Sequence, residues 1–520
     1  VNGLVFEERG PVVRSAPNRA DITCFVGFVG RRPTLMPAAV RQALAEQGWT
    51  SPPYARPIDE LLDLPVPIDT WETFDRLFAW DRRDLDGHGR LGVSYLGAAV
   101  RSFFVQGGRK CYVIRVGDPG PLTEPRVQRL LRVPALLPGY PIRFDPSPAD
   151  RHSWHGFGHL FGMPDVSFVC MPDLADLVAA DRDTIDRQPP SLPPPPEQFV
   201  ECSDPVPGPA LDSLARLFRA PRADAAGFGE WARVIRRAAD AIADTRGGST
   251  LREVQLIAAV PMPEVDSEAD HDLLRFLSRS GWLAGRRELD LSSIVSAFVQ
   301  LAYPWVLTPG SADLPEQAEP PEGVLAGVLA RNALTRGTFR SAAGLHLADV
   351  YDVVPALSRE QTTVPTGGAT LPERVSILAM TPSGLRVLSD ATTAADPWYR
   401  LAPVNRLVSV IVRAARTLGE DSAFEPSSEQ TWADVRGRLG ELLRALFQAG
   451  ALQGGTVAEA FQVRCDRSTM SQTDIDNGRV IAEIEFRAAA PIERLRVVLA
   501  LGEGGQVSLV SPRATAESAA

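Results

Sequence analysis

Three histidines stand close together in this 520-residue chain: His152, His155 and His159. A spacing of three and four residues would line them up on one helix face, the arrangement a zinc or other transition metal requires. Gly156 and Gly158 interrupt any such helix, and no carboxylate or cysteine follows at ligand spacing. Surface or packing histidines are therefore expected, and no metal. Asp84–Gly89 (DLDGHG) resembles the start of a calcium loop. With Gly87 at the sharp-turn position, however, Arg82 falls at the first ligand position and Val93 at the twelfth, where acidic ligands are required. A turn is expected instead. Gly156–Gly162 (GFGHLFG) has the wrong spacing for a dinucleotide fingerprint and no strand before it. There is no G-x-S-x-G elbow. No catalytic residue, cofactor or metal site is expected, and the chain reads as a non-enzyme.

The elements around these residues alternate. A short apolar run (Ile22–Gly30) reads as a strand. Thr70 can cap a helix over Thr73–Trp80, and Ser94–Gly108 has helical spacing with a Gly-Gly stop. Cys111–Gly117 and Val166–Leu174 read as strands. The segment Gln188–Phe199, with six prolines, is a polyproline spacer. A helix (Phe228–Asp244), a strand (Val254–Val260) and two helices (Asp266–Leu277 and Leu291–Ala302) follow. Residues 310–322 and 355–373 look like loops. Helices at Val404–Leu418 and Thr431–Ala449 precede strands at Ala460–Cys465, Arg479–Phe486 and Leu495–Leu501, and a short polar tail. The fold class is α/β, mixed with α+β.

Length argues for several packed units. The net charge of −10 speaks against nucleic acid as a main partner. No apolar run reaches the roughly 18–20 residues of a membrane helix, and Val1–Ala20 has no secretion-signal core. The chain is thus expected to be cytoplasmic when made. The five scattered cysteines (Cys24, Cys111, Cys170, Cys202, Cys465) suggest buried free thiols in a reducing compartment.

The last third is more specific. Arg464-Cys465-Asp466, followed by Met470-Ser471-Gln472-Thr473-Asp474-Ile475-Asp476-Asn477-Gly478-Arg479, resembles the C-terminal signature of contractile tail sheath proteins, those of phage tails and extracellular contractile injection systems. Asp476-Asn477-Gly478 is a turn cluster able to take positive φ between two strands. Phe424-Glu425-Pro426 and Thr431-Trp432 precede it as in that family, and Tyr303-Pro304-Trp305, Pro321-Glu322-Gly323, Arg336-Gly337 and Pro67-Ile68-Asp69-Thr70-Trp71 match in order upstream. Trp432, Asp466, Gln472, Asp474, Asp476, Asn477 and Gly478 carry the signature.

The resemblance implies a multidomain sheath subunit. Residues 1–20 would be an arm strand (Leu4, Val5, Phe6) that augments a neighbour's sheet. Residues 21–163 would form an N-terminal α/β domain, and 164–380 a middle domain of subtilisin-like topology. Residues 381–510 would form a C-terminal α+β domain facing the inner tube, with 511–520 a tail. Partners would be further copies of the chain in a helical assembly, an inner tube protein, and baseplate and cap or terminator proteins, with no nucleic acid and no membrane insertion. Assembly would be cytoplasmic, with release as a virion or extracellular particle. Arg406, Arg413, Arg416, Arg436, Arg438 and Arg444 are the candidates to face the tube. The alternative role within this fold is a non-polymerising cap or baseplate-proximal homologue.

Overall fold

A computed structural model describes residues 20–85, 91–181, 218–244, 251–283, 293–366, 368–422, 428–477, 479–489, 495–501 and 507–510. The arm residues Leu4, Val5 and Phe6, as well as Cys202, the polyproline spacer and Gly478, lie outside them.

Eight strands form one sheet. In chain order they are β1 (Thr23–Gly27), β2 (Val66–Ile68), β3 (Cys111–Arg115), β4 (Phe168–Cys170), β5 (Gln255–Ala259), β6 (Val299–Tyr303), β7 (Ser376–Thr381) and β8 (Gly384–Val387). The spatial order is β8-β7-β6-β5-β4-β1-β3-β2. The six strands from β7 to β3 run parallel, and β8 and β2 are antiparallel at the two edges. The strands before residue 163 (β1, β3 and β2) and those after it join in this one sheet, β1 pairing with β4, so the expected boundary between residues 163 and 164 falls inside a single sheet.

Side chains of successive strand residues point to opposite faces, and each face has its own core. Cys24, Val26, Leu256 and Ala258 pack on one face with Trp231 and Ile235 of helix α2 (Ala225–Ala243). Phe25, Val113 and Ile257 pack on the other, beneath α1 (Tyr95–Val105) and α3 (Glu322–Thr335). Helices α1 and α3 approach so closely that a Cβ at Gly323 would lie 2.1 Å from the Ala99 carbonyl oxygen, and one at Gly327 2.5 Å from that of Phe103. Only glycine fits at those two positions. The expected cap at Thr70 is present, its Oγ1 accepting from the Thr73 amide at 3.2 Å, and Ser94 Oγ caps α1 by accepting from the Gly97 amide at 3.2 Å.

The expected helix over Leu291–Ala302 is corrected: Val299–Tyr303 is β6, a central strand. A strand apolar on both faces has no alternation to distinguish it from a buried helix.

The C-terminal unit has its own core. Helices α4 (Ala402–Ser422) and α5 (Glu429–Gln448) pack on an antiparallel meander of β9 (Phe461–Arg464), β10 (Val480–Phe486), β11 (Leu495–Leu501) and β12 (Val507–Val510). The last of these strands follows Leu495–Leu501, which reads from sequence as the final strand. Cys24, Cys111, Cys170 and Cys465 are free and buried.

Candidate functional site: the seam of the C-terminal unit

Helix α4 joins the C-terminal unit to the large sheet, and it does so through polar contacts at the starts of the parallel strands. The Asn405 side-chain amide donates to the Ala297 carbonyl, two residues before β6. Further along the helix, Arg413 donates to the Val166 carbonyl (2.9 Å) and to Ser167 Oγ (3.1 Å), just before β4. Arg413 and Arg416 both hold Glu253, two residues before β5: Arg413 Nε lies 3.2 Å from Oε2, Arg416 Nη2 2.7 Å from Oε2 and Arg416 Nε 2.8 Å from Oε1. Burial raises the Glu253 carboxyl above its ordinary value even with two guanidinium groups pulling it down.

At the near end of the helix, Arg406 grips Asp390 with two parallel bonds, Nη1 to Oδ1 at 3.0 Å and Nη2 to Oδ2 at 2.6 Å. This planar fork is the strong form of an arginine–carboxylate pair. The Asp390 side chain is fully buried and that of Arg406 is 5 % exposed. Asp390 also accepts from the Gln300 side chain of β6 (2.9 Å) and the Ala342 amide (2.8 Å). Burial acts to raise this carboxyl, but Arg406 and the two amides outweigh it and hold the group below its usual range. The seam is thus two buried ionic clamps, one at each end of α4. Ala20, where the described chain begins, lines a small cavity together with Asn405, Arg406 and Val410.

These contacts correct part of the tube-facing set. Arg406, Arg413 and Arg416 are committed to carboxylates within the chain, because a guanidinium buried against its carboxylate is not available to an outside partner. Arg436, Arg438 and Arg444 of α5 are exposed. Arg438 makes only a long contact of 3.7 Å with Asp421, both half open to solvent.

The signature residues build the connection from β9 to β10. Asp466 Oδ1 accepts from the Ser468 amide (2.8 Å) and hydroxyl (2.6 Å), which holds the carboxyl below its ordinary range. Ser471 and Asp474 form a reciprocal cap on the short helix α6 (Gln472–Asp476), and Gln472 donates to Asp476 at 2.7 Å. Thr469 Oγ1 donates to the Ile481 carbonyl at 2.7 Å, fastening the turn to β10. Asn477 has φ −88° and closes α6; Gly478, the third residue of the expected positive-φ cluster, lies outside the described residues. Trp432 is buried in the core beneath.

At the opposite ends of the strands lie carboxylates that sequence alone does not single out. Glu322 Oε1 accepts the Ala259 amide at 2.6 Å, and Glu319 accepts from Thr308 Oγ1 at 3.1 Å and from the Ser102 hydroxyl. Burial pushes both up to about 8. Asp173 accepts the Phe28 amide at 2.7 Å, and burial raises it to about 6. Ligands of open α/β sheets bind outside these strand ends. Here Phe28, Arg83, Gly120, Asp173 and Asp176 close around a void of about 10 Å³, room for no more than one water.

The histidines do not share a helix face. His155 Nδ1 lies 2.5 Å from Asp63 Oδ2, and His159 Nε2 lies 3.1 Å from Asp63 Oδ1. His152 stacks on Tyr54. Burial opposes ionisation of Asp63, but His159, the Gly156 amide and His155 hold it at about 2. Burial lowers His159 from its ordinary value, so it donates as the neutral Nε2–H tautomer. Asp63, 89 residues before His152, is the partner that local spacing could not show. Among the described residues no group of three or more His, Cys, Asp or Glu is placed to hold a metal ion, and no helix is long and apolar enough to cross a membrane.

No family model matches the sequence, and no curated protein matches it. Solved structures do, along nearly the whole chain. A chain of the contracted anti-feeding prophage (AFP) baseplate matches with a TM-score of 0.56 at 16 % identity, covering 100 % of this chain and 99 % of that one. A chain of the contracted AFP helical sheath gives 0.52 at 19 %, covering 95 % and 97 %. A chain of the contracted PVC sheath complex of an extracellular contractile injection system gives 0.52 at 18 %, covering 94 % of each. At such identities the likeness is one of fold.

Proposed function

We propose, from a fold that is the contractile tail sheath fold, that this chain is a structural subunit that polymerises helically around an inner tube and contracts to propel it. The observation that carries the proposal is the end-to-end likeness to a contracted helical sheath, which spans both units and the seam between them. A structural role, not a catalytic one, is supported by the closed strand ends.

The two sheets support a division of labour. The large sheet is protected at its edges: residues 344–347 cover β8, with the Leu347 amide donating to Leu385 at 3.0 Å, and β2 is three residues long with Pro67 at its centre. Among the described residues, β9 and β12 each pair on one side only. Those open edges suit an added strand from the arm (Leu4, Val5, Phe6) of a neighbouring copy. Contacts of that head-to-tail kind do not close, and they build filaments. On this reading the middle segment follows the subtilisin-like chain topology of sheath proteins, and the exposed α5 arginines (Arg436, Arg438, Arg444) face an acidic tube through a screened contact that contraction can release. Baseplate and cap proteins would meet the ends of the assembly, which forms in the cytoplasm before any release.

Electron microscopy of the full chain beside one lacking residues 1–20 tests the proposal. Hollow striated tubes from the full chain, lost on truncation, are the expected result. If both chains stay monodisperse at high concentration, even with the tube protein added, the polymerising role is wrong.

A further inference from the structure

A groove of about 420 Å³ runs along the seam, on the side of α4 away from Ala20. Its walls come from both units: Leu401, Val404 and Leu407 of the α4 region, Phe339 after α3, and Ala451 and Ala488 from the C-terminal unit. The floor is apolar, and Phe339 is only half-buried in it. Arg336 and Arg340 stand at the rim, both exposed, and among the described residues neither has an ion-pair partner. The Arg340 guanidinium lies 5.6 Å from the Phe339 ring centre, above the groove and turned to solvent. An occupant should thus be a short apolar segment followed by negative charge.

The chain contains such a segment beyond the described residues: Leu4-Val5-Phe6-Glu7-Glu8. The chain enters the described structure at Ala20, which lines a cavity on the opposite side of the same helix with Asn405, Arg406 and Val410. Eleven residues lie between Glu8 and Ala20, and the extended chain from one to the other spans up to about 40 Å. A helix is only about 10–12 Å across, so the path around to its far side is about 16–19 Å. A tether of that length holds the segment at an effective concentration near the millimolar range. A free subunit's own arm therefore outcompetes the arm of another copy at micromolar protein.

We propose that in the unassembled subunit residues 4–8 of the chain's own N-terminal arm dock in this groove, with Leu4, Val5 and Phe6 on the apolar floor and Glu7 and Glu8 against Arg336 and Arg340. Docking withholds the strand that would otherwise join a neighbour's sheet, so growth needs an existing end to draw the arm out. The idea rests on the arm's role in polymerisation, but the docking itself is measured on the free subunit.

The test is chymotrypsin cleavage after Phe6 in the full chain at sub-micromolar concentration, followed by mass spectrometry. Arg336→Glu with Arg340→Glu should speed cleavage about five-fold, the scale that two exposed charge pairs support. Adding Glu7→Arg and Glu8→Arg to that variant should restore protection. Both rim positions are exposed, so the variants fold. Equal cleavage rates in all three proteins would overturn the proposal. So would protection that rises with protein concentration, which assigns the groove to a second copy's arm. Tube formation is scored separately by microscopy: protection without tubes removes the sheath role and leaves the docked arm standing.

Discussion

In the large sheet every residue of β1, β3, β5 and β6 is buried, whereas in the small sheet β10 alternates, with Ala482, Ile484 and Phe486 inward and Glu483 and Glu485 half exposed. The first pattern belongs to a sheet covered on both faces by its own helices. The second belongs to a sheet with one finished face, whose outer face is charged and held by Arg464 across the strands, 3.0 Å from Glu485. Edges follow the same division: the large sheet's are short or covered, and the small sheet's pair on one side. A subunit that must stay rigid while its connections change benefits from placing these properties in separate sheets. On the proposed sheath role the seam would transmit force between them, and buried ion pairs make it directional.

The largest effect should come from breaking the seam. Asp390→Ala leaves Arg406 buried without its carboxylate, which costs about 3–5 kcal/mol. Denaturant unfolding should show this loss. The double change Asp390→Leu with Arg406→Leu should recover most of it, because the cost lies in the stranded charge. If the single change is silent, the clamp does not join the two units as described.

A second change separates the two cores. Leu443 is fully buried in the C-terminal core on α5. Leu443→Ala should cost about 2–5 kcal/mol. Hydrogen exchange should then show protection lost across α4, α5 and β10 while β1, β3 and β5 keep theirs. Equal loss in both sheets would mean that they unfold as one unit and that the comparison above is too sharp.

The pH dependence should also divide the molecule. Glu319 and Glu322 are raised from an ordinary 4.5 to about 8, and they lie in the body alone. Because the folded value is the higher one, their contribution is complete below about pH 4.5. It declines as pH rises and is lost through pH 8, a change of the order of a few kcal/mol. The body's melting temperature should therefore fall from pH 5 to pH 8. Glu319→Gln with Glu322→Gln should flatten that profile and leave the C-terminal unit's exchange unchanged.

Much of this architecture is legible in the chain, for reasons that differ by element. Thr70 announces its helix because a hydroxyl before an apolar-periodic run has one common use, and β10 alternates because one of its faces is wet. β6 is hidden because burial on both faces erases period. The hairpin of β7 and β8 goes unread for a related reason, its strands being short and only partly alternating. The seam was half visible: three arginines on one helix can be read, but Glu253 lies 160 residues from Arg413 in the chain. Without that partner they read as a charged outer surface. Asp390 and Asp63 are equally silent, since one carboxylate carries no local pattern.

The smallest predicted effect probes how the small sheet is held ready. Ser471 and Asp474 cap α6 reciprocally: the Asp474 amide donates to Ser471 Oγ at 3.2 Å, and the Ser471 amide donates to Asp474 Oδ2 at 3.1 Å. Loss of such a cap costs about 1 kcal/mol. Ser471→Ala should therefore leave the global unfolding midpoint almost unmoved while speeding amide exchange within residues 472–476. Thr469 ties this turn to Ile481 of β10, so loosening α6 should also raise exchange at the start of that strand. Exchange confined to α6 would show that the turn and the sheet are independent. Exchange spreading along β10 would show that the signature residues hold the central strand of the small sheet in place.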